Sequence, residues 1–267
     1  MTNRVRMLHG GYLNDGRITR QGRYVVRQQD HPWPEAVDEA MDVLASRGFS
    51  FCPQLVARMD PCSVTLTYLP GRALTNPVPR WAATAGTLIR ATRFVSAFSL
   101  AAAGLRSSMT KSDWLTEPDS AGDDLVHGDP HPTNLIFSTC RRPTGLIDFE
   151  LATLGPGIWN LISLIFGWAP LEPVAVTCWR HVSGLCPEQR IQTILRHWHM
   201  CVSGSDLMAE CHSFLRWRKN WIKALADLGN EGARRFAADP EFDCRFNHAI
   251  KVMTAACGRL RGRNPAA

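Results

Sequence analysis

LVHGDPHPTNLIFSTCRRPTGLIDFE, residues 125–150, alternates short apolar segments with polar turns. Leu125 and Val126 start one strand, residues 134–137 form a second and residues 145–147 a third, so the polar groups between them fall on loops presented by buried strands. Those loops carry Asp129, Asn134 and Asp148. Moving a γ-phosphoryl group requires a residue that orients the attacking hydroxyl and cations that neutralise the phosphate oxygens. Asp129 suits the first task. Magnesium takes hard oxygen ligands from one or two side chains plus phosphates, and Asn134 with Asp148 offers an amide carbonyl and a carboxylate. Each residue alone has a plainer reading: Asp129 before Pro130 as a turn former, Asn134 as a strand-start cap, Asp148 as a buried acid tied to backbone amides. His127 and His131 are too few to make a zinc site and are expected to shape the loop.

The order HGD, four residues, Asn, then a hydrophobic residue and DF resembles the catalytic core of the aminoglycoside phosphotransferase and choline kinase family, whose fold is protein-kinase-like. The corresponding elements in protein kinases are the HRD loop with its downstream asparagine and the DFG aspartate. The resemblance implies Asp129 as catalytic base, Asn134 and Asp148 as metal ligands, ATP and Mg2+ as cofactors, and a small-molecule hydroxyl acceptor.

Upstream, residues 5–8, 17–20 and 23–28 read as strands separated by turn signals, among them Gly10 and Gly11, Asn14 to Gly16, and Gln21 with Gly22. Gly10 and Gly11 would let backbone amides approach phosphates; an ordinary hairpin turn explains them as well. A helix from Pro34 to Arg47, closed by Gly48, repeats Val37, Ala40, Met41 and Leu44 at helical spacing. By the family pattern the third strand supplies a cation for the α and β phosphates, paired to a helix glutamate. Arg27 stands there in place of lysine and can grip phosphate oxygens with two parallel donors. Glu39 is the expected partner, although a solvated helix face accounts for it equally. Residues 52–59 and 64–69 are two further strands, and YLPG at 68–71 resembles the hinge between lobes, so the backbone of Thr67, Tyr68 and Leu69 is expected to meet the nucleotide base. The fold class that follows is α+β: residues 1–70 as a small antiparallel β lobe with one helix, residues 71–267 as a larger, mainly helical lobe holding the catalytic loop, the metal site and the acceptor-binding helices.

Beyond residue 150, LATLGPGIWNL resembles a family segment GxxxxDLA in which Asn160 replaces the aspartate. An amide brings no charge, which makes the rigidity of the catalytic loop the expected weak point. Residues 187–202 and 206–228, the latter with Ser205 as candidate cap, and a helix from Pro240 are expected to set acceptor specificity. Trp168, Trp179, Trp198, Trp217 and Trp221 enrich this half in indoles, which suit a choline-like or thiamine-like cation or else fill the core. Asp206 and Glu210 share a helix face, but no dense acidic cluster awaits an aminoglycoside.

The 267 residues carry a net charge of +6, with basic residues Arg259, Arg261 and Arg263 near the end and the other arginines scattered among acids. That pattern argues against a nucleic-acid surface. Nine cysteines without CxxC spacing look like reduced packing residues. With no apolar run near the ~20 residues of a membrane span and no signal-peptide core, a cytoplasmic protein away from the membrane is expected. Nothing in the sequence fixes the oligomeric state. Segments VVRQQDHPWP, GFSFCPQLVARMD and LIDFELATLGPGIWNL also resemble a small phosphotransferase-like group associated with resistance to the peptide trifolitoxin. That resemblance implies an alternative, a catalytically silent immunity or binding protein, favoured by Arg27 and Asn160 and opposed by Asp129, Asn134 and Asp148 together.

Overall fold

The computed structural model describes residues 5–8, 17–169, 171, 179, 182 and 184–260, without side-chain detail at 245 and 257–260. Gly10 and Gly11 lie outside the described residues. The small lobe is a five-stranded antiparallel sheet of β1 (Val5–Leu8), β2 (Ile18–Gln21), β3 (Tyr24–Gln28), β4 (Leu55–Asp60) and β5 (Ser63–Thr67) in the order β1-β2-β3-β5-β4. β3 lies at its centre, so Arg27, opposite Val64, is carried by a strand paired on both sides. Helix α1 (Glu35–Ser46) follows Pro34 and buries Val37, Ala40, Met41 and Leu44, the stripe visible in the sequence. Val37, Met41 and Leu44 each contribute roughly 1.5–3 kcal/mol by leaving water, and Ala40 less.

The larger lobe holds two small sheets, β6 (Arg72–Ala73) with β8 (Leu135–Phe137) and β9 (Pro143–Leu146), and β7 (Asp124–Val126) with β10 (Thr153–Gly155). Around them pack α2 (Ala85–Ala102), α3 (Ile158–Trp168), α4 (Pro187–His197), α5 (Gly204–Asp227), α6 (Glu231–Ala237) and α7 (Phe242–Leu260). α3 is apolar apart from Asn160 and Ser163, and all residues from Trp159 to Trp168 are buried, as a helix enclosed by other helices requires. α5 is capped by Ser203, whose hydroxyl accepts from the Asp206 N–H; the expected cap Ser205 is already inside the helix. One hydrophobic core runs from α1 through α7. Among the described residues no helix is long and apolar enough to cross a membrane.

The indoles settle into that core. Trp168, Trp179, Trp217 and Trp221 are each 3% exposed or less, and Trp198 is buried too. They are packing residues, which removes the aromatic argument for a choline-like acceptor.

Candidate active site

The candidate catalytic loop follows β7. Gly128 has φ +80°, and a Cβ there would lie 2.7 Å from the Leu151 carbonyl oxygen, so only glycine lets the chain turn against residue 151. His127, fully buried, ties the loop down. Its backbone N–H donates to Asn160 Oδ1 at 3.0 Å, its Nε2 lies 3.0 Å from the Ile147 carbonyl, and its Nδ1 accepts the Asp129 N–H at 3.2 Å. Those roles fit one neutral tautomer, with the proton on Nε2. Burial pushes the His127 pKa below its ordinary value despite the nearby Asp129 and Asp148 carboxylates. His131 is likewise kept neutral by burial, its pKa lowered to about 4, while its Nδ1 meets Thr133 Oγ1 at 3.1 Å.

Asn160 corrects the expectation of a weakened loop. Its Oδ1 accepts from His127 N–H, and its Nδ2 donates to the Leu125 carbonyl at 2.9 Å. An ionised aspartate could make only the first of these bonds. The amide therefore clamps β7 to α3 from both sides.

Asp129 is held in turn by Asn134, whose Nδ2 donates to the Asp129 carbonyl at 2.9 Å and to its Oδ2 at 3.0 Å. Trp168 Nε1 donates to the Pro130 carbonyl at 3.0 Å, fixing the middle of the loop on α3. Ile147 N–H donates to the Asn134 carbonyl at 2.9 Å, so the segment carrying Asp148 is stitched to the loop carrying Asp129. Asp148 itself has φ 70° and ψ 61°, a left-handed conformation that non-glycine residues adopt at a cost and that recurs at functional sites. With the Asn134 amide protons committed to Asp129, its Oδ1 is the end that can face a cation. That oxygen and the Asp148 carboxylate are hard donors and fit magnesium. Among the described residues no cluster of three or more His, Cys, Asp or Glu offers a different metal site.

On the small-lobe side, Arg27 Nη1 lies 2.6 Å from Asp148 Oδ1 and Nη2 lies 2.6 Å from Glu150 Oε2. Arg27 and Glu150 are both 5% exposed. Burial alone would lower the guanidinium pKa, but the two carboxylates more than offset it and hold it above its usual value. His31 Nε2 stands 3.6 Å from Glu150 Oε1. Burial, aided by Arg27, lowers the His31 pKa to about 4, so this is a contact with a neutral ring.

The pairing of Arg27 with Glu39 is not observed. The Glu39 carboxylate instead accepts from the Thr110 N–H and hydroxyl and, at 2.7 Å, from the Lys111 N–H. The inward acid of α1 is Asp38, which accepts from Trp33 Nε1 at 2.8 Å and pairs with Arg58. With that helix position spent, the counter-charge for Arg27 comes from the other lobe. Glu150 was legible only as the acid two residues beyond Asp148, and Arg218, whose Nη2 lies 3.4 Å from Asp129 Oδ1, sits in an ordinary helix stripe with no motif around it. In the hinge, the N–H groups of Thr67 and Tyr68 donate to the carbonyls of Gln54 and Arg23, each at 2.9 Å. Among the described residues none accepts from the Leu69 N–H.

Residues 114–177 match the model of the phosphotransferase enzyme family. No curated protein matches the chain in sequence. Among solved structures, a choline/ethanolamine kinase family protein from Mesorhizobium loti superposes with a TM-score of 0.53 at 15% identity, covering 99% of this chain and 90% of the other. An ethanolamine kinase of Plasmodium vivax gives 0.52 at 10% identity, covering 95% and 82%. A macrolide 2'-phosphotransferase from Brachybacterium faecium gives 0.51 at 15%, covering 90% and 93%. At these identities the likeness is one of fold. The stretch that the family model matches contains Asp129, Asn134, Asp148, Glu150 and Asn160, and the superposed structures show that the chain has a kinase-like fold.

Proposed function

We propose that the protein is a Mg-ATP-dependent kinase that transfers the γ-phosphoryl group of ATP to a hydroxyl of a small molecule. One observation carries the reading: Asp129 and Asn134 on one loop are stitched to Asp148 on the next through His127 and the Ile147 N–H. A base and two hard oxygen donors are thereby brought to one place by buried neutral bonds, with Arg27 and Arg218 facing the charges of Asp148 and Asp129. Asp129 takes the proton of the acceptor hydroxyl as that oxygen attacks. Arg27 turns from Asp148 toward the α and β phosphates while Glu150 keeps hold of its other amino group. The Leu69 N–H is the hinge donor that a purine can use. Asn134 and Asp148 hold magnesium, which when bound neutralises charge on the phosphate oxygens.

The silent immunity or binding protein keeps one observation in its favour, because Arg27 is engaged by two carboxylates and its phosphate role requires a change of partner. Calorimetric titration with ATP, with and without magnesium, separates the two readings. Magnesium-dependent binding that disappears in Asp148→Ala is the expected result. No binding by the wild-type protein would overturn the kinase reading in favour of the silent one.

A further inference from the structure

We propose that the protein binds single-stranded nucleic acid on an arginine face at the far end of the hairpin that carries Asn134 and Asp148; the inference does not depend on the kinase reading. β8 leaves Asn134 and β9 returns toward Asp148, so the turn between them, residues 138–142, stands about three strand residues, roughly 10 Å, from the candidate site. Arg141 and Arg142 are exposed on that turn. Arg90 Nε, on α2, donates to the Arg141 carbonyl at 3.2 Å, and Arg93 follows about one helical turn later on the same side. The Arg141 guanidinium lies 5.4 Å from the centre of the Trp81 ring, which brings in Arg80 on the short helical turn Arg80–Ala83. Trp81 in turn meets Phe137 edge-on at 5.4 Å, and Phe137 stands opposite Arg72 of β6.

Residues 61–112 and 130–147, which supply this face, contain no Asp or Glu. Among the described residues no carboxylate pairs with Arg72, Arg80, Arg90, Arg93, Arg141 or Arg142, whereas Arg17, Arg27, Arg58 and Arg106 each have one. Like charges held within a Debye length of about 8–10 Å repel one another, a cost that a bound polyanion removes. Arginines scattered among acids along the chain as a whole are thus sorted by the fold, which reverses the expectation drawn from their scatter. The turn itself adds a second sign. It is closed by the Arg141 N–H on the Ser138 carbonyl and the Ser138 N–H on the Arg142 carbonyl, each at 2.9 Å, with Arg141 at φ 59°. Glycine or asparagine suits that left-handed position. Arginine there strains the backbone and gives the turn nothing in return; what it supplies is a guanidinium over Trp81.

The chemistry selects a phosphodiester strand. Every cation of the face is arginine, whose planar fork grips phosphate oxygens in pairs. The half-buried Trp81 with Arg141 over it is a flat platform on which a base can stack. A bilayer surface would need apolar side chains to insert alongside the charge. Among the described residues the large exposed apolar side chains lie off this face; Leu100, the one on α2, stands about two helical turns beyond Arg93.

The test is fluorescence anisotropy of the full-length protein with a labelled single-stranded RNA of about 20 nucleotides, run in parallel with phosphatidylserine–phosphatidylcholine vesicles and with poly-glutamate. RNA binding is expected, weakening about a hundredfold between roughly 50 and 200 mM salt, the slope of roughly four to six neutralised phosphates. The variant Arg90→Gln/Arg93→Gln/Arg141→Gln/Arg142→Gln is expected to lose at least about tenfold in affinity and to flatten the salt slope by about 3. Arg216→Gln/Lys223→Gln, which removes charge from α5, is expected to change affinity less than about twofold. Arg141→Gly, matched to φ 59°, is expected to hold or raise the urea midpoint while weakening RNA about fivefold near 0.1 M salt, which separates lost binding from lost fold. RNA bound no better by the wild type than by the four-arginine variant overturns the proposal, as does an equal loss in the α5 variant. Binding of vesicles or poly-glutamate without RNA also overturns it, and so does displacement of RNA by poly-glutamate at equal charge, the mark of an unselective anion surface. The kinase reading is decided separately by the MgATP titration.

Discussion

The two sides of the cleft are held by different physics. The candidate catalytic loop is fixed by neutral, buried hydrogen bonds from His127, Asn134, Asn160 and Trp168. The small-lobe side is held by charge, with Arg27 spanning the lobes to Asp148 and Glu150. Neutral bonds inside the core are indifferent to salt and have no alternative partner, whereas a buried cation between two carboxylates can exchange one of them for a phosphate without losing its counter-charge. On the proposed kinase reading, rigidity is placed where the base must be positioned, and exchangeability where the nucleotide must enter.

The largest effects are expected from breaking the charged side. Arg27→Met should abolish MgATP binding in calorimetry and, by leaving two carboxylates uncompensated, lower the stability measured by urea by about 3–5 kcal/mol. The double variant Arg27→Met/Glu150→Met should regain most of that stability and still bind no nucleotide. If the double variant bound MgATP normally, the phosphate role of Arg27 would be wrong.

Acid should come next, since both sides contain a histidine kept neutral by burial. His31 and His131 each have a folded pKa of about 4, below the ordinary value near 6.5. The unfolded chain therefore binds more protons between those values, so stability rises with pH from 4 to 6.5 and is level above. Each ring accounts for about 3 kcal/mol at the acid end. His131→Gln should flatten part of the slope in urea titrations run across that range. An unchanged slope in both His131→Gln and His31→Gln would exclude them as its source.

On the neutral side, Asn160→Asp should destabilise by about 1–3 kcal/mol because the Leu125 carbonyl loses its donor and faces a carboxylate. Equal or greater stability of the variant would show that the two-sided clamp is not what holds β7. The smallest effect belongs to the surface: Lys111 and Glu35 pair at 2.7 Å with both side chains about half exposed, and Lys111→Ala should leave the urea midpoint within error of the wild type.

Much of this contrast could be read from the chain before folding. Asp129, Asn134, Asp148 and the strands around them lie within 26 residues, so local spacing suffices to bring them together, and the stripe of α1 follows from helical period alone. The Arg27 partner could not be read that way. Asp38 and Glu39 are adjacent on the same helix, and which one faces inward depends on where Trp33 and Arg58 come to rest, a matter of tertiary packing. Glu150 meets Arg27 across 123 residues of sequence and Arg218 meets Asp129 across 89, and no local pattern encodes such contacts. The tryptophans illustrate the converse: their abundance fits either a cation box or a packed core, and burial decides for the core, where an indole's large apolar area gains more than in an open cage.

The grip on Arg27 also bears on time. For a ligand that needs this guanidinium, arrival is a change of partners and not the filling of a waiting pocket, and binding that requires such a rearrangement is slower than encounter. Approach-to-equilibrium rates should climb with nucleotide at low concentration and then level off at the frequency with which the Arg27–Asp148 contact opens. The protein's response to a sudden rise in ATP would then be timed by the lifetime of an ion pair instead of by diffusion.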